Sequence, residues 1–421
     1  MMRRNQGYIT LTVTSFVLVA ALILILGSYK QVFFQIKRAQ NEVKNRQEHW
    51  FAEGGLECGF ASINVRSLNS IPNNLLSDCN DISISSLTKD ASNSSVLVSK
   101  SGNTRLKKEI NFLSSNSQGA IRSTSDLVFR GSYTFTPDPG KQRAEGDWNC
   151  KIVQFQGTFG LYSPYENTSV ANSGLDDNNK PYSTFPSGQS CHSSHSTASY
   201  SNALGSAMKY WVEGETESDI EHKTDIGDLF KDIFGVPRDE WVTIKNNPLF
   251  HKKSGNGSCG NTISEGISNG KSLIWYTGSC ELKTNDFNAI SAAFSNSPSV
   301  NSAVIVIENG LFSTHASYTF PGMFYHLNTN YQPTAAEWAA TESNANMPII
   351  ANPTAAPFGL GDVVYYQTGS FVPTGGYIMD APGKIALFNS SMNFLYNQDN
   401  LTTPLSKIRK LTWAKGSWND F

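Results

Sequence analysis

The chain has 421 residues, enough to bury more than one core, and only 16 % of them are charged. Its formal net charge of −2 excludes the global basic field on which non-specific nucleic-acid binding draws. The six cysteines, Cys58, Cys79, Cys150, Cys191, Cys259 and Cys280, all follow the N-terminal apolar run, and none forms a C-x-x-C pair. Zinc ligation usually draws on such close pairs, so the pattern points to disulfides made in an oxidising compartment.

The first element is apolar. From Tyr8 to Leu26 no charged residue occurs, and about 20 helical residues span a bilayer core of roughly 30 Å. Arg3 and Arg4 hold the N-terminus in the cytoplasm by the positive-inside rule, which sends the rest of the chain outward, in agreement with the cysteines. A cleavable secretory signal has a shorter core, about 7–15 residues, ending in a small-residue site. Here "LILGSYKQ" offers no A-x-A. Beyond it, Val32, Ile36, Ala39, Val43 and Trp50 keep one stripe between Lys37, Arg38, Glu42, Lys44, Arg46 and Glu48, and no proline interrupts Tyr8–Phe51. One continuous helix of roughly 65 Å is expected, apolar all round in its first half and amphipathic in its second.

The short basic leader "MMRRNQG", the Gly7–Tyr8 junction and this uninterrupted helix resemble type IV pilins and the related minor pseudopilins of type II secretion. The resemblance covers roughly residues 1–60. The prepilin peptidase of those systems cuts after a glycine placed before the apolar segment. Two positions depart from the pattern: Tyr8 stands where Phe or Met is usual, and Thr12 stands where the fifth mature residue is usually glutamate. Loss of that glutamate resembles the PilX-type minor pilins and the large tip pseudopilin GspK. The phrase "AEGGLECGFA" looks like the end of the PilX N-terminal segment.

The resemblance implies cleavage at Gly7, N-methylation of Tyr8, an inner-membrane stage with a periplasmic body, and later display at the pilus tip or cell surface. It also implies partners: prepilin peptidase, the assembly machinery, other minor pilins and the major pilin. The membrane is met through the helix. Adhesion or DNA uptake, with surface glycans or nucleic acid at the tip, are the roles it allows. The alternatives are a type II secretion tip pseudopilin and a membrane-anchored periplasmic binding or adhesive protein that never polymerises.

After Gly54-Gly55 a Ser/Asn-rich stretch, 67–95, reads as loops with short strands. "SSVLVSKSGNTRLKKEINF" reads as a hairpin around Ser101-Gly102-Asn103. "DLVFRGSYTF" and "CKIVQFQGTFGLY" add strands. Residues 166–206 are polar and read as a long loop pinned by Cys191. In "SDIEHKTDIGDLFKDIFGVPRDEWVTIK", Ile226, Leu229, Phe230 and Ile233 share a helical face that Gly235 ends, and Pro237 suits the start of another helix. From Cys259 the chain reads as β-rich. "SAVIVIENGLFSTHASYTFPGMFYHL" and "GGYIMDAPGKIALFNSSMNFLYNQ" repeat a scheme of strand, turn, strand and bend. They resemble the short β-solenoid-like C-terminal regions of some large PilX-type proteins, with a sandwich as the alternative.

The expected fold class is therefore α+β: a long pilin-like helix followed by disulfide-stapled β-rich periplasmic domains. The expected boundaries are 1–7 for the leader, 8–57 for the helix and 58–165 for a β-rich domain packed on the helix end. Residues 166–240 form the polar loop and helical insert, and 241–421 the C-terminal β-rich domain. Chain order pairs the cysteines locally as Cys58–Cys79, Cys150–Cys191 and Cys259–Cys280, one of 15 connectivities.

No G-x-S-x-G elbow, H-E-x-x-H or phosphate-binding loop occurs, so no enzyme is expected and no cofactor is called for. Cys191, His192 and His195 nominally supply three metal ligands, but the disulfide use of Cys191 is favoured. Asp176 and Asp177 offer hard oxygens as a weak calcium candidate without the EF-hand spacing. In the tail, Lys407, Arg409, Lys410 and Lys415 interleave with Trp413 and Trp418, a pattern that suits a stacked ligand or an edge strand with packed tryptophans.

Overall fold

The computed structural model describes residues 6–66, 71–111, 119–140, 142–173, 190–197, 199–212, 219–256, 259–346, 358–408, 411–414, 416 and 419–420. It divides the chain into two compact units: residues 1–112 with 411–421, and residues 113–410.

In unit 1, α1 (Gln6–Val65) is one helix of 60 residues. Its last turns do the packing. Ala52, Leu56 and Ile63 recur on one helical face and are buried. They meet an antiparallel sheet of β1 (Ser86–Lys89), β2 (Val96–Ser101) and β3 (Thr104–Asn111). Gly102, at the first central position of the β2–β3 turn, has φ +54°, as a type II′ hairpin turn requires. The sheet approaches α1 closely at Gly59, where a Cβ would stand 2.9 Å from Leu97 Cδ2 and 3.1 Å from Leu87 Cδ2. The Cys58–Cys79 bridge, Cα–Cα 6.0 Å, ties the short helical turn Leu76–Cys79 to α1.

Unit 2 is built from strand sets that step through three directions. The first set is β4 (Ile121–Ser123), β5 (Asp126–Arg130) and β6 (Ser132–Phe135); the second is β7 (Val153–Phe155), β8 (Phe159–Ser163) and β9 (Thr168–Asn172). Then come β10 (Tyr200–Asn202), β11 (Ser206–Tyr210) and β12 (Ile220–His222). An insert of α2 (Leu229–Phe234) and α3 (Trp241–Lys245) leads to β13 (Phe250–Ser254). The sets then resume: α4 (Gly260–Ser268), β14 (Leu273–Thr277), β15 (Cys280–Lys283) and α5 (Thr284–Asn296), followed by β16 (Ala303–Glu308), β17 (Phe312–His315) and β18 (Tyr318–Phe320). The last sets are β19 (Gly322–Leu327), α6 (Ala335–Ala339), β20 (Val363–Thr368) and β21 (Phe371–Pro373), then β22 (Tyr377–Asp380), β23 (Ile385–Asn389) and β24 (Met392–Phe394). After them comes α7 (Asp399–Leu405).

Equivalent strands of successive sets line up in sheets. One has the order β12-β7-β4-β22-β19-β16-β14-β13, a second β11-β8-β5-β23-β20-β17-β15, and a third β10-β9-β6-β24. Their pairs are parallel except β10–β9 and β11–β8. The route is not sequential. Sets advance from β4 to β12, the insert carries the chain to the opposite edge at β13, and the sets return until β22–β24 pair with β4–β6.

The residue rows explain the burial. Ile274, Ile305, Phe324, Tyr377, Ile121, Val153 and Ile220 cross the first sheet at one register and enter one core cluster with Phe312, Tyr365, Leu127 and Phe159 of the second. The neighbouring row points the other way. It begins apolar with Trp275, Val306, Tyr325 and Ile378, which α2, α3 and α7 cover, and ends polar with Arg122, Gln154 and Glu221. The cover stops where Arg122 pairs with Asp232 at 2.8 Å. Beyond unit 2 the chain returns to unit 1, where β25 (Thr412–Trp413) and β26 (Asn419–Asp420) pair antiparallel with β3.

The hairpin, the helical insert and the end of α2 at Gly235, with φ +79°, follow the sequence pattern. Four features differ from it. The helix expected to end at 57 continues through Gly54-Gly55 to Val65, where its last turns pack on the sheet. The expected 58–165 domain is divided, because its strands from Ile121 onward pair with strands far later in the chain. The stretch read as a loop over 166–206 holds β9 and β10. The stretch after Cys259 holds helices as well as strands, and α4 and α5 bury one face each through Ile263, Ile267, Phe287 and Ile290.

Candidate functional site

The helix α1 is the first candidate. It is long and apolar enough to cross a membrane, and its apolar window is wholly unburied. Gly7 and Tyr8 lie in its first turns, and Tyr8 is 73 % exposed. Thr12 stands one turn further on, where its hydroxyl donates to the carbonyl of Tyr8 at 2.7 Å and lies 3.0 Å from that of Ile9. Thr14 and Ser15 likewise donate to Thr10 and Leu11 carbonyls, at 2.9 and 2.6 Å. Such back-bonding satisfies hydroxyls within the helix itself, which is what hydrocarbon surroundings demand. Downstream the helix becomes charged and self-paired: Arg46 reaches Glu42 at 2.8 Å and Lys44 reaches Glu48 at 3.8 Å. Pairs of this spacing contribute a few tenths of a kcal/mol each.

Where α1 meets the unit 1 sheet, polar contacts fix its register. Glu48 accepts the Asn103 amide at 2.9 Å, and Lys108 pairs with Glu57 at 3.1 Å. Arg66 pairs with Asp78 beside the Cys58–Cys79 bridge. The tail adds Trp413, whose ring stacks on Phe60 with centroids 4.5 Å apart, under Lys108 at 4.3 Å. Its indole N–H donates to Glu57 at 3.3 Å. Trp413 thus closes an edge. Lys407, by contrast, belongs to unit 2, where it donates to Ser272 at 3.0 Å. Arg409, Lys410, Lys415 and Trp418 lie outside the described residues, as do Asp176 and Asp177.

In unit 2, Cys191 is bridged to Cys150 (Cα–Cα 5.5 Å) and so offers no thiolate to a metal. His192 and His195 each hold the Ser194 hydroxyl through Nδ1, at 2.7 and 3.0 Å. The third bridge, Cys259–Cys280, joins the start of α4 to β15.

Buried titratable groups lie elsewhere, and no spacing motif marks them. Burial pushes the Asp138 carboxyl up to about 6, against amide donors from Gly140 and Gly119. Burial lowers His326 to about 4, although one ring nitrogen contacts the Gly310 carbonyl at 2.9 Å. Glu308 gathers Lys245, Trp275 Nε1 and Thr277 at 2.6, 2.7 and 2.8 Å, which pins α3 to the first sheet. Asp380 accepts both Arg238 Nε, at 2.8–3.0 Å, and the Tyr325 hydroxyl at 2.8 Å. Burial still raises its pKa against Arg238 and Tyr325. Glu308 and Asp380 meet Trp275 and Tyr325 because parallel pairing brings their strands together, which no local spacing in the sequence marks.

No family model, curated protein or solved structure matches this chain.

Proposed function

We propose that this chain is a PilX-type minor pilin that primes assembly of a type IV pilus or caps its tip, acting without catalysis. The observation that carries this reading is α1: one unbroken helix, apolar and exposed in its first half, with its last turns laid on the antiparallel sheet of unit 1. That is the helix-on-sheet plan the pilin resemblance implies. Unit 2 is read as a short β-solenoid, in which stacked parallel sets form the body displayed at the tip. The three bridges fit the oxidising periplasm through which such a subunit passes.

Thr12 supports the terminal position. In pilins the fifth-position glutamate is understood to pair with the free amine of a subunit already docked above. An isolated charge in lipid costs several kcal/mol, so a subunit with that glutamate needs the neighbour. Thr12 brings no carboxylate, and its hydroxyl is spent on its own helix. Such a subunit stands first without cost, while its Tyr8 amine remains open to the glutamate of the subunit below. The expected partners are accordingly other minor pilins and the major pilin.

The test is genetic and optical. Deletion of the chain should nearly abolish surface pili, and labelled protein should appear once per filament at its distal end. Normal pilus numbers, or label spread along the shaft, would overturn the reading. Protein that stays in the inner membrane without entering filaments would favour the non-polymerising anchor.

A further inference from the structure

The corner between the first and second sheets of unit 2 holds a polar cleft of about 260 Å³. Three pieces of chain line it: Arg238 from the insert, Asn328–Gln332 after β19, and Pro382 with Lys384 between β22 and β23. Its walls are preset. The Arg238 guanidinium is held by Asp380, itself 2 % exposed, and donates to the Asn328 carbonyl at 2.6 Å. The Asn328 side chain locks its loop by donating to the Tyr331 carbonyl at 2.9 Å and accepting the Tyr331 amide at 2.7 Å. Asn309 clamps the next residue, accepting the Thr329 amide at 2.8 Å.

The two cations of the cleft are held differently, and Asp228, which accepts the Arg238 amide at 2.8 Å, adds to the carboxylates on the Arg238 side. Arg238 is neutralised by Asp380, whereas the Lys384 ammonium donates to the Gln332 side-chain oxygen at 2.7 Å and lies 3.5 Å from the Gly361 carbonyl. Among the described residues Lys384 has no carboxylate partner. One ammonium without a carboxylate contact thus stands on a wall of amides, a hydroxyl, a tyrosine, a proline and the paired Arg238. Amides both donate and accept, which matches sugar hydroxyls, and a single uncompensated cation matches a single carboxylate. The volume lies just below that of pockets for drug-sized ligands, roughly 300–1,000 Å³, and so suits one sugar residue.

We propose that this cleft binds a carboxylate-bearing sugar residue, of the hexuronic acid type, with Lys384 opposite the carboxylate and Asn330 and Gln332 on the hydroxyls. This holds whether or not the chain enters a filament, so its failure and that of the pilus reading are separable.

The test uses the detergent-solubilised full chain, titrated by calorimetry and ligand-observed NMR with glucuronate, glucose, acetate and inorganic phosphate. Glucuronate should bind about tenfold tighter than glucose and than acetate, the worth of one charge-assisted hydrogen bond or of the hydroxyl contacts respectively. The Lys384→Met variant should lose that tenfold for glucuronate, keep the glucose affinity, and melt as the parent does. Asn330→Ala should weaken glucuronate and glucose alike by a few-fold. No glucuronate binding, equal binding of glucose or acetate, phosphate binding as tight as glucuronate, or an unchanged Lys384→Met variant would each overturn the proposal.

Discussion

In unit 1 the strands that pair are those that follow one another, β1 with β2 and β2 with β3, and the chain's return adds only β25 and β26. In unit 2 sheet neighbours come from successive strand sets, except at a seam where the unit's two ends meet and β22–β24 pair with β4–β6. The difference decides what each unit depends on. Unit 1 has one small cluster around Ala52, Leu56, Ile63, Leu97 and Leu106, and so leans on the Cys58–Cys79 bridge and the close approach at Gly59. Unit 2 has three clusters, and its weak point is the seam where its first and last sets join. Contacts of such long sequence separation close slowly, because the loop entropy is met before the contacts form.

The seam gives the largest expected effect. Phe388 is fully buried on β23 and stacks on Phe129 of β5, centroids 4.8 Å apart. Phe388→Ala should cost about 4 kcal/mol by removing buried area and leaving a cavity. Hydrogen exchange should show the loss across β4–β6 and β22–β24 and leave the β2–β3 hairpin unchanged. Equal loss of protection in both units would erase the distinction between them.

Unit 1 is probed by removing its staple. The Cys58–Cys79 bridge closes a separation of 21 residues, for which the chain-entropy argument gives about 3 kcal/mol. Replacing both cysteines by serine should lower protection of the helical turn Leu76–Cys79 and of the hairpin, with unit 2 unaffected. Peptide mapping under non-reducing conditions should recover Cys58–Cys79, Cys150–Cys191 and Cys259–Cys280, and a Cys79–Cys150 peptide would refute that pairing.

A pH experiment singles out unit 2. Asp138 has a folded value of about 6 against an ordinary 3.8, so folding favours its neutral form. Its contribution is fully present below about 3.8 and is lost as pH rises through about 6. The span is worth about 2–3 kcal/mol. Asp138→Asn keeps an acceptor for the Gly140 amide and removes the titration. The stability difference between variant and parent should therefore change between pH 4 and 6 in the variant's favour. A difference independent of pH would contradict the burial argument.

The smallest effect is at the helix–sheet contact. Gly59→Val sets branched carbons against Leu97 and Leu87, and overpacking of that kind costs about 1–3 kcal/mol. The hairpin of unit 1 should lose protection, and β16 and β19 should not.

These regions also differ in how far the sequence discloses them. The continuity of α1, the hairpin around Gly102 and the stop at Gly235 follow from local patterns: an apolar run, a turn glycine, a left-handed cap; the end of α1 does not, since it runs through Gly54-Gly55 to Val65. The rows of unit 2 do not. Ile121 and Tyr377 are register partners, yet each sits in a short strand whose flanks say nothing of the other. The strand-turn-strand repeat was visible, but Asn309-Gly310 turns a corner between sheets instead of closing a hairpin. Likewise Asp138, Glu308 and Asp380 are single carboxylates in the sequence, and only burial and distant donors give them chemistry. Trp413 was legible as either ligand contact or edge packing, and it packs on Phe60.

The pilin reading rests on what happens at the junction before the apolar run. Intact-mass analysis of the full chain, co-expressed with a prepilin peptidase, decides it most directly. The expected mass is that of a chain beginning at Tyr8 with one added methyl group. A chain that still carries Met1–Gly7, or one cut near Gly27, would contradict the assignment of α1 as an assembly helix.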